Sequence, residues 1–266
     1  MAIDKGYSRE AYKRILRLGG EKFFFENVVV SGKENLSSER QRIYLANHLS
    51  HMDYALIWLL SHRDGFKMPV IAAGKNLDLR LFRMIGFDFG RLGGEFIDRE
   101  LLSNGNGSFS DRRDVYRRFR NIVSGGEDLL VFPEGGRNYH AEEGVMNSFY
   151  EGILRAALSG ADVDRTDLVL LAFDYDRKVE DGFLDKIERH RKDKNWRYYF
   201  WDAAAYASHF AGRQFCDRGD AYVSVGSPRK IGEIFPARAG MEQRVGAVRD
   251  YSVGGIRELY EGIRKC

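Results

Sequence analysis

The chain has 266 residues, 44% hydrophobic and 30% charged, a balance that excludes a disordered polymer and is long enough to bury a full core. Its 42 Lys and Arg against 39 Asp and Glu leave a formal charge of +3. That excess is too small to argue for nucleic acid, though it suits anionic small molecules or an anionic surface. The two cysteines, Cys216 and Cys266, supply neither a disulfide framework nor a Cys-based zinc site and favour a reducing compartment.

The longest apolar runs, Ala55 to Leu60 and Leu168 to Phe173, fall far short of the ~20 residues of a spanning helix. The first twenty residues carry no signal-peptide core, so the expectation is a cytoplasmic chain whose membrane contact is at most peripheral, on the inner face of the cell membrane. No internal repeat or low-complexity tract is visible, and residues 1–266 read as one domain.

In chain order, residues 8–25 read as a helix within an amphipathic N-terminal segment, 1–25. Tyr12, Ile15, Leu16 and Phe23 form a stripe, with Arg9, Lys13, Arg14 and Arg17 on the other sides. Two readings stay open: a basic helix at a bilayer surface, ending in Phe23, Phe24 and Phe25, or a helix packed on the core. Strands are predicted at 28–30 and 43–46, a helix at 51–61, a strand at 69–73, a helix at 78–86 and a short strand at 95–97. A polar loop follows at 103–110, then a helix at 111–124, a strand at 128–132, a helix at 145–158, and strands at 168–174 and 221–225. This alternation implies an α/β layered fold with a mixed, largely parallel sheet flanked by helices. Residues 180–217, first basic and then aromatic, break the rhythm. They read equally as a helical insertion over a substrate mouth, a membrane-facing patch or a solvated helix pair.

Ligands of such sheets gather at the carboxyl ends of strands, so the residues after each strand matter most. After 43–46 comes Asn47, His48, Leu49, Ser50, His51, Met52 and Asp53. Ser50 looks like a helix N-cap with Asp53 in the first turn. A carboxylate there can hold the proton on one imidazole nitrogen of His48 and free the other as a base. Asp53 acting only as a cap is the plain alternative, and a metal site built on His48, His51 and Asp53 is a third reading. His62, His140, His190 and His209 show no ligand spacing.

Two further motifs follow strands. Arg91 to Arg99 places Gly93 and Gly94 before an apolar strand ending in Asp98 and Arg99, and Val131 to Arg137 runs through Pro133 into Glu134, Gly135, Gly136 and Arg137. Arg99 and Arg137 can offer planar forks to one phosphate, although each motif taken alone reads rather as a turn with a surface salt bridge. Lys75, after the strand at 69–73, either adds positive potential or sits in water at a helix start.

Together these motifs resemble the glycerophospholipid acyltransferase family, the glycerol-3-phosphate and lysophosphatidic acid acyltransferases, over residues 27–230. His48 and Asp53 match its His-x4-Asp block, Gly93 to Arg99 its second block, and Phe132 to Arg137 its Phe-Pro-Glu-Gly-x-Arg block. Leu168 to Tyr175 corresponds to a fourth, hydrophobic block, and Gly32, Asn35, Leu36 and 221–228 look like further landmarks. The stretches 48–54, 71–77 and 134–137 look like the bacterial glycerol-3-phosphate type, whose members are much longer. Two positions depart from the pattern: 138–144 after Arg137, and Leu170 where the fourth block usually has Pro.

The resemblance implies acyl transfer from acyl-CoA or acyl carrier protein to a hydroxyl of glycerol 3-phosphate, with lysophosphatidic acid as the alternative acceptor and no cofactor beyond the donor. It implies His48 as base, Asp53 as its partner, and Arg99, Glu134, Gly135, Arg137 and Lys75 around the acceptor, with Glu134 orienting an arginine or the loop. An anionic membrane surface would be a peripheral partner. A metal-dependent hydrolase and a membrane-binding module using the N-terminal helix and the 186–197 stretch are the competing classes.

Overall fold

The two longest buried strands lie side by side at the centre of the sheet. β2 (Gln41–Ala46) and β6 (Thr166–Tyr175) are parallel, with Ile43 opposite Leu168 and Ala46 opposite Leu171. Both are buried almost end to end, as strands covered on both faces must be. The computed structural model describes residues 3–36, 39–74, 88–97, 109–138, 151–191 and 219–263, with scattered residues between 197 and 208.

Around this pair the described strands form one eight-stranded sheet. β1 (Val28–Ser31), β3 (Val70–Gly74), β4 (Gly94–Ile97), β5 (Leu129–Val131) and β7 (Ala221–Val225) complete the order β1-β7-β6-β2-β5-β3-β4. A two-residue strand, β8 (Arg229–Lys230), pairs with β6. β6, β2, β5, β3 and β4 are mutually parallel; β7 runs antiparallel to β6, and β1 parallel to β7. The sheet is therefore mixed and largely parallel, as the alternation implied. Five strands deliver their carboxyl ends to one edge.

α1 (Lys5–Arg17) and α2 (Met52–Asp64) pack on each other. α2 is apolar on nearly every side, with Leu56, Ile57, Trp58, Leu59 and Leu60 buried, so it must be covered all round. α1 supplies part of that cover through Ser8, Ala11 and Ile15. The Trp58 indole donates to Ser8 Oγ (2.9 Å), which also bonds His62 Nε2 (2.8 Å), and His62 stacks on Tyr12 with centroids 4.6 Å apart. α3 (Phe109–Ser124), α4 (Glu151–Gly160) and α6 (Met241–Ile263) form a second packed group, with α6 lying on β6 and β7.

Several expectations need correction. The N-terminal helix spans Lys5–Arg17, not 8–25; Asp4 caps its start by accepting from the Tyr7 N–H (2.9 Å). It ends before Gly19, at φ 112°, and a 3-10 turn, Gly20–Phe23, follows. Phe24 and Phe25 are core residues and no part of a bilayer-facing end, whereas Leu16, expected on the packed stripe, is 52% exposed. The helix expected from 111 begins at Phe109, inside the expected polar loop. α6 was not anticipated at all. The helix at 78–86, residues 103–108 of the loop and residues 145–150 lie outside the described residues. Within 180–217, a 3-10 turn Asp181–Phe183 leads into α5 (Leu184–Arg191), where Ile187 and Ala205 are buried in a small apolar cluster of their own.

Two of the sequence landmarks prove architectural. Gly32 sits at φ 67°, and a Cβ there would lie 2.2 Å from the Val225 carbonyl oxygen, so the turn after β1 closes onto the end of β7 only with glycine. Asn35 completes that junction by donating to the same carbonyl (3.1 Å). Leu170 is a core residue facing α6, where Gly255 lets the helix approach; a Cβ on Gly255 would stand 2.4 Å from Leu170 Cδ1.

Candidate active site

β2, β6 and β5 are neighbours in the sheet, and the loops at their carboxyl ends meet. Asn47, the first residue after β2, replaces the strand ladder with its side chain: Nδ2 donates to the Phe173 carbonyl (2.9 Å), and Oδ1 accepts the Phe173 N–H (2.8 Å). The chain then leaves the sheet at His48. Glu134 Oε2 accepts the His48 N–H (2.7 Å), and the His48 carbonyl accepts the Asn138 N–H (2.7 Å). Both sides of the His48 backbone are thereby fixed by the turn after β5.

The imidazole Nδ1 lies 2.8 Å from Asp53 Oδ2. Because a carboxylate only accepts, Nδ1 carries the proton and Nε2 keeps its lone pair. Asp53 is fully buried in the first turn of α2, where the helix dipole favours negative charge. Its Oδ2 also accepts the N–H groups of Leu49 (2.9 Å) and Ser50 (3.2 Å), and its Oδ1 accepts the Tyr175 hydroxyl (2.5 Å). Asp53 therefore ties down the turn that leads into the helix as well as partnering the imidazole. Ser50 is not the residue before the helix; that is His51, while Ser50 Oγ takes the Met52 N–H (3.1 Å).

His48 is 2% exposed, its ring 4.4 Å from that of Phe132 and edge-on to Tyr54, whose hydroxyl lies 3.4 Å from Nε2. Burial pulls its pKa down to about 4, against the opposing pull of Asp53; His51 and Arg137 add to the lowering. The imidazole is neutral at pH 7, as a base has to be.

The turn after β5 runs Phe132 to Asn138. Gly135 adopts φ 66°, a left-handed conformation that admits glycine readily. Glu134 holds the loop: besides the His48 N–H, it accepts from Asn138 Nδ2 (3.1 Å), and burial raises its pKa to about 7. Arg137, 5% exposed, donates from Nη1 to Glu180 Oε1 (3.0 Å). Glu180 is fully buried and also accepts from Ser50 Oγ (2.8 Å to Oε2) and the His51 N–H (3.3 Å).

His48, Asp53, Glu134, Gly135 and Arg137 are thus brought together from two loops. Lys75 and Arg99 lie outside the described residues, as do Asp98 and 139–144. β3 and β4, which precede Lys75 and Arg99, end at Gly74 and Ile97 on the same edge of the sheet. In the second motif the salt-bridge reading holds for two members: Arg91 binds Asp4 (2.7 Å), and Glu95 binds Arg118 (2.5 Å). Among the described residues, no three His, Cys, Asp or Glu side chains gather in an arrangement that could hold a metal. Tyr175, Glu180, Asn47 and Asn138 escaped the sequence reading. Asn47 and Tyr175 stood inside quoted motifs, whereas nothing local to Glu180 marks it.

A His–Asp pair and a Glu–Gly–Gly–Arg turn thus stand at the carboxyl ends of adjacent parallel strands, where α/β sheets place their ligand sites. Residues 27–169, just over half of the chain, match the family described as Acyltransferase, and the chain belongs to that family. It is similar to the glycerol-3-phosphate acyltransferases of Alteromonas mediterranea (27% identical over 209 residues, 76% of this chain and 23% of that one) and Colwellia psychrerythraea (29% over 199 residues, 72% and 22%). Over 96 residues it is 35% identical to that of Xanthomonas axonopodis pv. citri, covering 36% of this chain and 10% of that one. The chain spans less than a quarter of the length of these relatives. The solved structure of the 1-acyl-sn-glycerophosphate acyltransferase of Thermotoga maritima shares the fold, with a TM-score of 0.50 at 19% identity over 97% of this chain and 84% of that one.

Proposed function

We propose that the chain transfers a fatty acyl group from a thioester, acyl-CoA or acyl carrier protein, to a hydroxyl of glycerol 3-phosphate. The observation that carries this reading is the 2.8 Å contact between His48 Nδ1 and Asp53 Oδ2, which leaves a neutral Nε2 as base beside the Arg137 turn. The names of the bacterial relatives support the acceptor.

His48 Nε2 takes the acceptor hydroxyl proton as the oxygen attacks the thioester carbonyl. Asp53 steadies the imidazolium that forms. The tetrahedral intermediate collapses, the C–S bond breaks, and the thiolate leaves with the proton returned from His48. The acceptor hydroxyl has to displace the Tyr54 hydroxyl from Nε2, so substrate entry involves a local rearrangement around the buried ring. Arg137, with Arg99 and Lys75, holds the acceptor phosphate, and Gly135 keeps that turn close. Leu16 and Leu18, exposed beside Arg14 and Arg17, support peripheral contact with an anionic bilayer.

The test is thiol release from a long-chain acyl-CoA with glycerol 3-phosphate, dihydroxyacetone phosphate and lysophosphatidic acid as parallel acceptors. Release that depends on glycerol 3-phosphate and disappears in folded His48→Ala supports the reading. Release only with lysophosphatidic acid reassigns the acceptor, and full activity of His48→Ala removes His48 from the chemistry.

A further inference from the structure

Tyr175 is the last residue of β6, paired across the sheet with Ala221 of β7 and stacked on Phe25 (centroids 5.8 Å, planes 25°). Its hydroxyl donates to Asp53 Oδ1 at 2.5 Å. The two oxygens of this carboxylate are used very differently. Oδ2 accepts from His48 Nδ1 and from the N–H groups of Leu49 and Ser50, while Tyr175 is the partner of Oδ1 among the described residues. Burial, then the Asp53 charge, hold the phenol well above its ordinary pKa, so Tyr175 stays a donor.

From this geometry we infer that Tyr175 is a positioning residue for acyl transfer, the third member of a His48–Asp53–Tyr175 relay. The inference rests on the reading of His48 as base. It follows from two consequences of the phenol bond. First, it fixes the plane of the Asp53 carboxylate and with it the orientation of the imidazole ring bonded to Oδ2, on which the aim of Nε2 at the acceptor hydroxyl depends. Second, it draws negative charge toward Oδ1 and so weakens the support Asp53 gives to the imidazolium. The relay therefore keeps His48 neutral to lower pH than a two-member pair would. The other titratable groups near the imidazole are His51 from the turn before α2, Tyr54 from α2 itself, and Arg137 and Glu134 from the turn after β5. Glu180 faces the same loop through Ser50 and His51.

The experiment is Tyr175→Phe, which keeps the ring and its stack on Phe25, assayed for kcat and KM from pH 3 to 8 beside wild type and His48→Ala. The expected result is a fall in kcat of about tenfold with KM for donor and acceptor unchanged. The acid limb of the kcat profile moves to higher pH, because an Asp53 relieved of the phenol stabilises imidazolium better. Should the Phe variant unfold, 3-fluorotyrosine at position 175, a stronger donor, moves the acid limb the opposite way. Unchanged kcat and an unmoved acid limb overturn the inference while an inactive, folded His48→Ala leaves the base reading standing. A loss of kcat without movement of the acid limb also overturns it, since packing alone would produce that. Full activity of His48→Ala instead fails the base reading itself, and the relay with it.

Discussion

Arg137 and Glu180 form a buried ion pair, Nη1 to Oε1 at 3.0 Å, with side chains 3% and 0% exposed. The pair joins the Glu–Gly–Gly–Arg turn to the chain after β6, and through Ser50 and His51 to the His48 loop. Removing one partner of such a pair strands the other charge in a site that cannot solvate it. Glu180→Ala is expected to cost about 3–5 kcal/mol in urea unfolding, since it also takes an acceptor from the Ser50 hydroxyl and the His51 N–H. Glu180→Gln, which keeps an acceptor and the volume, costs clearly less. Arg137→Ala is expected to raise the acceptor KM more than it lowers kcat if the guanidinium also meets the phosphate; an unchanged KM in a folded variant would confine Arg137 to the ion pair.

His48 gives a pH prediction with a definite sign. Its folded-state pKa, about 4, lies below the ordinary 6.5 because burial disfavours the imidazolium. The stability it contributes is present above pH 6.5 and is lost as the pH falls through 4, to a total of about 3 kcal/mol. Urea unfolding of wild type and His48→Ala between pH 7 and 4 tests this. The gap between them narrows as the pH falls; a constant gap would show that the ring is not buried in its neutral form.

The sequence made the His48–Asp53 pair legible because both partners sit within six residues, on either side of a helix start that follows an apolar strand. The parallel core was legible for a similar reason: 43–46 and 168–173 are apolar runs too short for helices and separated by helical periodicity. The Arg137 turn was legible only as a choice between a phosphate fork and a surface salt bridge. The bridge exists, but it is buried, and its partner lies 43 residues on. No local pattern can announce a pairing between loops that meet only when β5 and β6 flank β2. α6 stayed hidden because Gly246, Gly254, Gly255 and Gly262 dilute its helical signal. Gly255 is the position at which that helix comes against the Leu170 side chain, so the residue that obscured the element also sits in its packing seam.

The Gly32 turn anchors the edge of the sheet farthest from β4. A Cβ at its φ of 67° would be strained by conformation and would meet the Val225 carbonyl, which is backbone and cannot swing aside. Gly32→Ala is expected to destabilise by about 2 kcal/mol or more. Acyl transfer below the melting transition should be nearly unchanged, because Val225 lies opposite Leu171, at the far end of the β6–β7 pairing from Tyr175 and the His48 loop. Gly65→Ala is the control: Gly65 also has positive φ, at 74°, but an added Cβ meets nothing within 4 Å, so the loss should be smaller.

Glu134 titrates in the opposite sense to His48. Burial raises its pKa from 4.5 to about 7, so the stability it contributes is fully present below pH 4.5 and is lost as the pH rises through 7, by about 3 kcal/mol. Glu134→Gln removes the charge yet keeps an oxygen for the His48 N–H, and a flip of the Asn138 amide lets the new amide group donate in return. That variant should lack the alkaline loss of wild type between pH 5 and 8.5, while keeping most of the acyl transfer rate at pH 7. Glu134→Ala leaves the His48 N–H without its acceptor and should cost about 1–3 kcal/mol and most of the activity, because the backbone that aims the imidazole is no longer held. Equal thermal stability of the Gln variant and wild type at every pH would show that the carboxyl group is not buried as a titrating member of this loop.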